Sequence, residues 1–307
     1  PQRSRLELTG DPMLASQMLV LMSDPPLPPG PPRLAPEPPW QMHVWSTTAE
    51  YLFAAAQVLV CVGSFWYAIV ASRRGKTLIP VMCMFGGSLS IMLEPLIDSH
   101  LQVWWPIHSQ PDILHVWGRD VPLMILPVVT WYFGLNAAMR YRWMQKNGPA
   151  TKLWMLYAIE VACALALEPP AIQMDLWVYY GHQGLRIFGY PVYWPFVGGA
   201  CCMAAGTLVY LLAPYLKGWR VLLTPPIVVS AIAAAYWGAG WPMFTVLNIE
   251  APYWLTLLAE ASSIALSFMI VWVCTIGTGH HEYLRARRAA RKAGLPEPTH
   301  EPVGAAS

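Results

Sequence analysis

Six carboxylic acids that lie in or beside apolar runs stand out in this sequence as candidates for chemistry. Glu160 and Glu260 fall well inside two runs, and Glu94, Asp98, Glu168 and Asp175 gather near the ends of two. An ionisable side chain in hydrocarbon is costly, so such residues usually face the interior of a helix bundle and have a function there. Glu94 and Asp98 are four residues apart and share a helical face if the helix continues past Pro95; Glu160 and Glu168, eight apart, share another. If the two faces meet, desolvation and like charge both disfavour ionisation, and some of the carboxyls stay protonated. A neutral carboxylic acid facing an apolar pocket can protonate an alkene or an epoxide, with a second, ionised carboxylate or a bound water taking the proton at the end. In this reading Glu94 and Glu168 are proton donor and acceptor, and Asp98 and Asp175 tune them. The competing reading places Glu94 and Glu168 at headgroup level, each ending a helix before a proline, and gives Glu160 and Glu260 hydrogen bonds to a neighbouring helix.

The aromatic residues fit the same chemistry. The chain holds 16 Trp, 14 Tyr and 8 Phe, concentrated in the segments between apolar runs. Aromatic faces stabilise cations, so Trp105, Trp177 and Tyr180, with Glu160 and Glu260, are expected to line a substrate's path; an ordinary interfacial belt is the alternative. His100, His108, Asp112, His115 and His182 offer imidazole and carboxylate to a metal, but none shows the spacing of a zinc-protease motif, and no metal site is assigned. The last apolar run has no lysine to anchor a retinal Schiff base. Aspartate-rich diphosphate motifs, phosphate loops and a Gly-x-Ser-x-Gly elbow are also missing. What remains is cofactor-free proton chemistry, or transport.

Membrane helices must position these residues. Of the 307 residues, 12% are charged and 56% apolar, and about 20 apolar residues suffice to cross a bilayer as a helix. The sequence predicts an all-α polytopic bundle of about seven transmembrane helices, near 49–71, 77–97, 121–139, 152–172, 193–216, 220–244 and 253–276. Basic residues cluster after the first, third, fifth and seventh runs: Arg73, Arg74 and Lys76; Arg140, Arg142, Lys146 and Lys152; Lys217 and Arg220; and Arg285, Arg287, Arg288, Arg291 and Lys292. By the positive-inside bias this puts the N-terminus outside and the C-terminus in the cytoplasm of a cell membrane. A Pro-rich tail is expected over 1–44, the membrane domain over 45–279 and a basic tail over 280–307. Net charge is only +2, and the basic residues form no broad face for phosphates, so nucleic acid is excluded as a partner. Membrane lipids are the expected surroundings. All six cysteines lie inside apolar runs and read as buried small hydrophobes.

Leu93-Glu94-Pro95 returns as Leu167-Glu168-Pro169, 74 residues on, each followed by an aspartate and tryptophan. The stretch from Leu167-Glu168-Pro169 through Trp177-Val178-Tyr179-Tyr180-Gly181 to Phe188-Gly189-Tyr190-Pro191-Val192-Tyr193-Trp194-Pro195 resembles the signature of the membrane carotenoid hydratases. It departs from that pattern with Glu168 in place of aspartate and Tyr193-Trp194 in place of Asn-Phe. The layout is also similar to the small seven-helix terpene cyclases of meroterpenoid pathways, with Glu94 in the position of their first acid. Both resemblances imply a lipophilic isoprenoid substrate, no cofactor, and hydration or cyclisation. The rival classes are a proton-coupled or cation carrier or channel and a receptor-like structural subunit. Oligomeric state is left open.

Overall fold

The computed structural model describes residues 36–146, 150–249 and 251–296. Most of the expected Pro-rich tail, up to residue 35, lies outside the described residues, as does the end of the basic tail from residue 297.

Helix α1 (Thr47–Gly75) starts at an N-cap in which Ser46 Oγ accepts from the Ala49 N–H, and ends at Lys76 in the left-handed conformation. Helix α2 (Ile79–Leu89) passes through a 3₁₀ turn (Ser90–Leu93) directly into α3 (Glu94–Leu101). Pro95 therefore does not end a helix: it sits in the first turn of the next one, where its missing N–H costs nothing. Strands β1 (Val103–Trp104), β2 (Asp112–Val116) and β3 (Arg119–Pro122) follow. Then a helical run begins that changes pitch twice, from α4 (Ile125–Val129) through a π-helical stretch (Thr130–Leu135) to α5 (Asn136–Gln145). Helix α6 (Ala150–Gln173) continues past Glu168 and carries Pro169 and Pro170 near its end. Three short strands, β4 (Val178–Tyr179), β5 (Arg186–Ile187) and β6 (Tyr190–Pro191), lead to α7 (Trp194–Leu212). After a 3₁₀ turn (Gly218–Leu223) come α8 (Thr224–Leu247) and α9 (Tyr253–Ala293), so the last helix extends well into the stretch expected as a tail.

Among the described residues six helices are long and apolar enough to cross a membrane: Thr47–Gly75, Ile79–Leu101, Thr151–Gln173, Trp194–Leu212, Gly218–Leu247 and Tyr253–Gly277. The third predicted span is the run broken by the π stretch, and it does not reach that standard. Its start is also displaced, because 119–122 pairs as a strand instead of joining the helix.

Helix α7 is central. In its most apolar stretch 72% of residues are buried, against 11% in α1, which turns Leu52, Leu59, Val62 and Trp66 outward as a lipid-facing helix does. Small residues let helices approach closely in a membrane. A Cβ on Gly87 of α2 would lie 2.4 Å from the Thr130 carbonyl oxygen, and one on Gly206 of α7 would lie 2.5 Å from the Arg140 Cβ.

Among the described residues the strands form three two-stranded antiparallel ribbons. Two are hairpins whose turn residues, Trp117-Gly118 and Phe188-Gly189, all have positive φ, as the twist of a two-residue hairpin loop requires. The third joins segments far apart in sequence: Val103 opposes Tyr179 and Trp104 opposes Val178. Periodicity of apolar residues does not reveal strands of two residues.

Candidate functional site

The pairing of β1 with β4 brings the two Leu-Glu-Pro repeats together. Because α2 runs on into α3, Glu94 and Asp98 occupy successive turns of one face, and α6 likewise carries Glu160 and Glu168 on one face. All four acids line a single cavity of about 450 Å³, within the range of small-molecule sites. Its walls are mostly apolar. Phe53 and Gln57 come from α1, and Trp131, Tyr132 and Phe133 from the π-helical stretch. A π-helical insertion of this kind often marks a functional position in a helix.

The acids differ in what they touch. Trp105 Nε1 donates to Asp98 Oδ2 at 2.8 Å, and Trp177 Nε1 donates to Glu168 Oε2 at 3.2 Å. The two indoles also meet, with ring centroids 5.6 Å apart. The Tyr179 hydroxyl lies 3.5 Å from Glu168 Oε2. Burial, reinforced by the Glu168 carboxyl, pushes the Tyr179 phenol well above its ordinary range, so it keeps its proton and its capacity to donate. Glu160 is ion-paired with Arg140 of α5, which also holds Asn136 Oδ1 at 2.8 Å. Glu94 is 9% exposed, lies within Coulombic reach of Asp98 and Glu168, and receives no hydrogen bond among the described residues.

Arg119 of β3 supports the acid end from behind. It is buried, donates to the Val103 carbonyl and to the Tyr180 hydroxyl, and stacks over the Trp104 and Tyr180 rings at 5.6 and 5.5 Å. It also lies within Coulombic reach of Asp98.

Trp105, Trp177 and Glu160 thus lie on the cavity with Glu94, Asp98 and Glu168. Asp175, Tyr180 and Glu260 are not among its lining residues. Asp175 turns the chain after α6 with φ of 52°. Glu260 accepts from the Leu185 N–H at 2.8 Å and so ties the β4–β5 connection to α9. Two basic residues have places the sequence did not reveal. Arg140, read as one of a charged cluster marking a membrane face, is 1% exposed and balances Glu160; Arg119, which lies between two predicted spans, is buried within Coulombic reach of Asp98. The i, i+4 spacing of Asn136 and Arg140 is the one signal that pointed inward.

The described histidines do not gather. His108 pairs with Asp112 at 3.1 Å, His115 pairs separately with Asp120, and His100 packs against Tyr236, Trp237 and Phe244. Among the described residues no group of three or more His, Cys, Asp or Glu is placed to hold a metal ion. The described part of the molecule is therefore a mostly apolar membrane chamber with four acids and two indole donors. Set against profiles of protein families, characterised proteins and solved structures, the chain matches none.

Proposed function

We propose that this protein is an integral enzyme of the cell membrane that protonates an isoprenoid alkene or epoxide through a carboxylic acid, giving cyclisation or hydration. The observation that carries this reading is the contrast among the acids of one chamber. Asp98 and Glu168 each accept an indole N–H, whereas Glu94 has no donor and faces the apolar space. A carboxyl without a donor is best accommodated there as the neutral acid, and a neutral acid is what the chemistry requires.

The steps balance without a cofactor. The Glu94 O–H bond breaks as a C–H bond forms on the less substituted alkene carbon, or as the epoxide oxygen takes the proton and its C–O bond opens. The tertiary cation is held against the Trp105 and Trp177 faces. In cyclisation a second alkene supplies its π electrons to the cation, and a neighbouring C–H proton passes to Glu168 or Asp98, whose charge the indole N–H groups stabilise. In hydration a water molecule adds and loses its proton to the same carboxylate. Proton exchange between the adjacent acids restores Glu94. Cyclisation makes the enzyme an isomerase, and hydration run in reverse makes it a lyase.

In the membrane we place seven spans, counting the run Ile125–Gln145 as the third, with the N-terminus outside and the C-terminus in the cytoplasm. The basic clusters that follow the first, third, fifth and seventh spans support this orientation.

The test is expression in membranes supplied with squalene-like, carotenoid or prenylated aromatic substrates, with mass spectrometry of the extract. Products isomeric with the substrate, or heavier by one water, are expected from the parent and not from Glu94→Gln. If Glu94→Gln and Glu168→Gln were as active as the parent, the assignment of the acids would be wrong.

A further inference from the structure

A second cavity, of about 1040 Å³, lies at the other end of these helices, between the α1–α2 connection and the segment linking α7 to α8. Its lining includes Arg73, Lys76 and Lys217 and no carboxylate. Among the described residues none of the three cations is ion-paired. A fourth, Arg142, closes on the rim: a Cβ on Gly75 would lie 2.4 Å from its Nη1. The backbone there has little to offer a ligand, because the Ile79 and Val81 N–H groups at the start of α2 already bond Thr77 Oγ1 and Ser72 Oγ. Arg142 Nη1 donates to Gln145 Oε1 at 2.9 Å, which leaves the Arg73, Lys76 and Lys217 side chains as the free donors. Beside them the wall is apolar, with Ile69, Leu78 and Val81. Leu78 is exposed, as are Tyr215 and Trp219 on the neighbouring segment, a composition typical of a membrane interface.

Three cations lining one cleft without a counter-ion, next to an apolar wall with exposed Leu78, match an anion that carries an aliphatic tail. We propose that this cleft binds a phosphate group, and that the phosphate is the headgroup of an anionic lipid whose chain follows Leu78 and Val81. The site is separate from the acid chamber and does not depend on the chemistry assigned there.

The full chain in detergent is titrated with a short-chain phosphatidylglycerol, with phosphatidylcholine of the same chain length and with inorganic phosphate, and bound lipid is counted by native mass spectrometry. Phosphatidylglycerol is expected to bind in preference to phosphatidylcholine. A juxtamembrane cation contributes ~1 kcal/mol to such binding, so Lys217→Gln should weaken it roughly fivefold, and Arg73→Gln/Lys76→Asn/Lys217→Gln on the order of a hundredfold. Asparagine at 76 tolerates the left-handed cap, which keeps the turn intact. The comparison is Arg287→Gln/Arg288→Gln/Lys292→Gln, which removes equal charge from the end of α9 and should leave binding unchanged. Inorganic phosphate binding alone as tightly as the lipid, with the same dependence on the three cations, would keep the phosphate site and identify a soluble ligand. Equal loss in the α9 variant, or retention in the cleft variant, would overturn the proposal.

Discussion

Glu160 and Glu94 are the same side chain in the same chamber, yet their surroundings differ. Glu160 faces Arg140, a buried guanidinium that arrives on α5. Glu94 has two further acids within Coulombic reach and no donor among the described residues. A buried pair of opposite charge mainly holds helices in register and is costly to break. A buried acid with no such partner gains nothing for folding, and the proposed proton chemistry gives Glu94 a reason to be there. Burial alone therefore does not separate these two acids; the groups beside them do.

The largest effect should come from Glu94→Gln, which keeps shape and burial but removes the acid. Product formation is expected to fall by about 10²–10⁴, the range for loss of a general acid, with thermal stability in detergent unchanged. The inner pair should behave in the opposite way. Arg140→Met strands the Glu160 charge and should destabilise the fold by about 3–5 kcal/mol, lowering the melting temperature, while Arg140→Met/Glu160→Met recovers most of the loss. Trp177→Phe keeps an aromatic face on the cavity but removes the N–H donated to Glu168. A hydrogen bond to an ionised group is worth ~1.5–3 kcal/mol, so turnover should drop roughly ten- to a hundredfold with little change in substrate affinity. The smallest effect is expected from Asp175→Asn, since Asp175 lies off the chamber and asparagine accepts its positive φ. Stability should change by no more than about 0.5 kcal/mol and product yield should stay level. If Asp175→Asn were as damaging as Glu94→Gln, the division of the acids would have to be redrawn.

The sequence reveals the parts of this molecule that depend on local pattern. Apolar run length marks six helices that the structure contains, and the four- and eight-residue spacings correctly place Glu94 with Asp98 and Glu160 with Glu168 on shared faces. The repeated Leu-Glu-Pro also carries information, though not as helix ends: proline is tolerated in a first turn, so the helix passes through Pro95, with Glu94 buried and Glu168 half-buried. Features that depend on tertiary contact are not legible. The β1–β4 ribbon is two residues long in each strand, too short to leave a period, yet it sets the two indoles beside each other. Arg140 looks like any other base at the end of a span, and only the arrival of α6 makes it the partner of Glu160. Broken pitch at Thr130–Leu135 leaves no sequence mark beyond a cluster of aromatics between apolar residues.

Infrared difference spectroscopy of the reconstituted protein in H₂O and D₂O tests the central claim without knowledge of the substrate. A protonated carboxylic acid has a carbonyl band that shifts on deuteration, and an ionised carboxylate lacks it. The parent protein should show such a band near neutral pH; Glu94→Gln should lose it, and Arg140→Met/Glu160→Met should retain it. A spectrum unchanged by Glu94→Gln would mean that the carboxyl is ionised in the chamber, and the proton donor would have to be sought elsewhere.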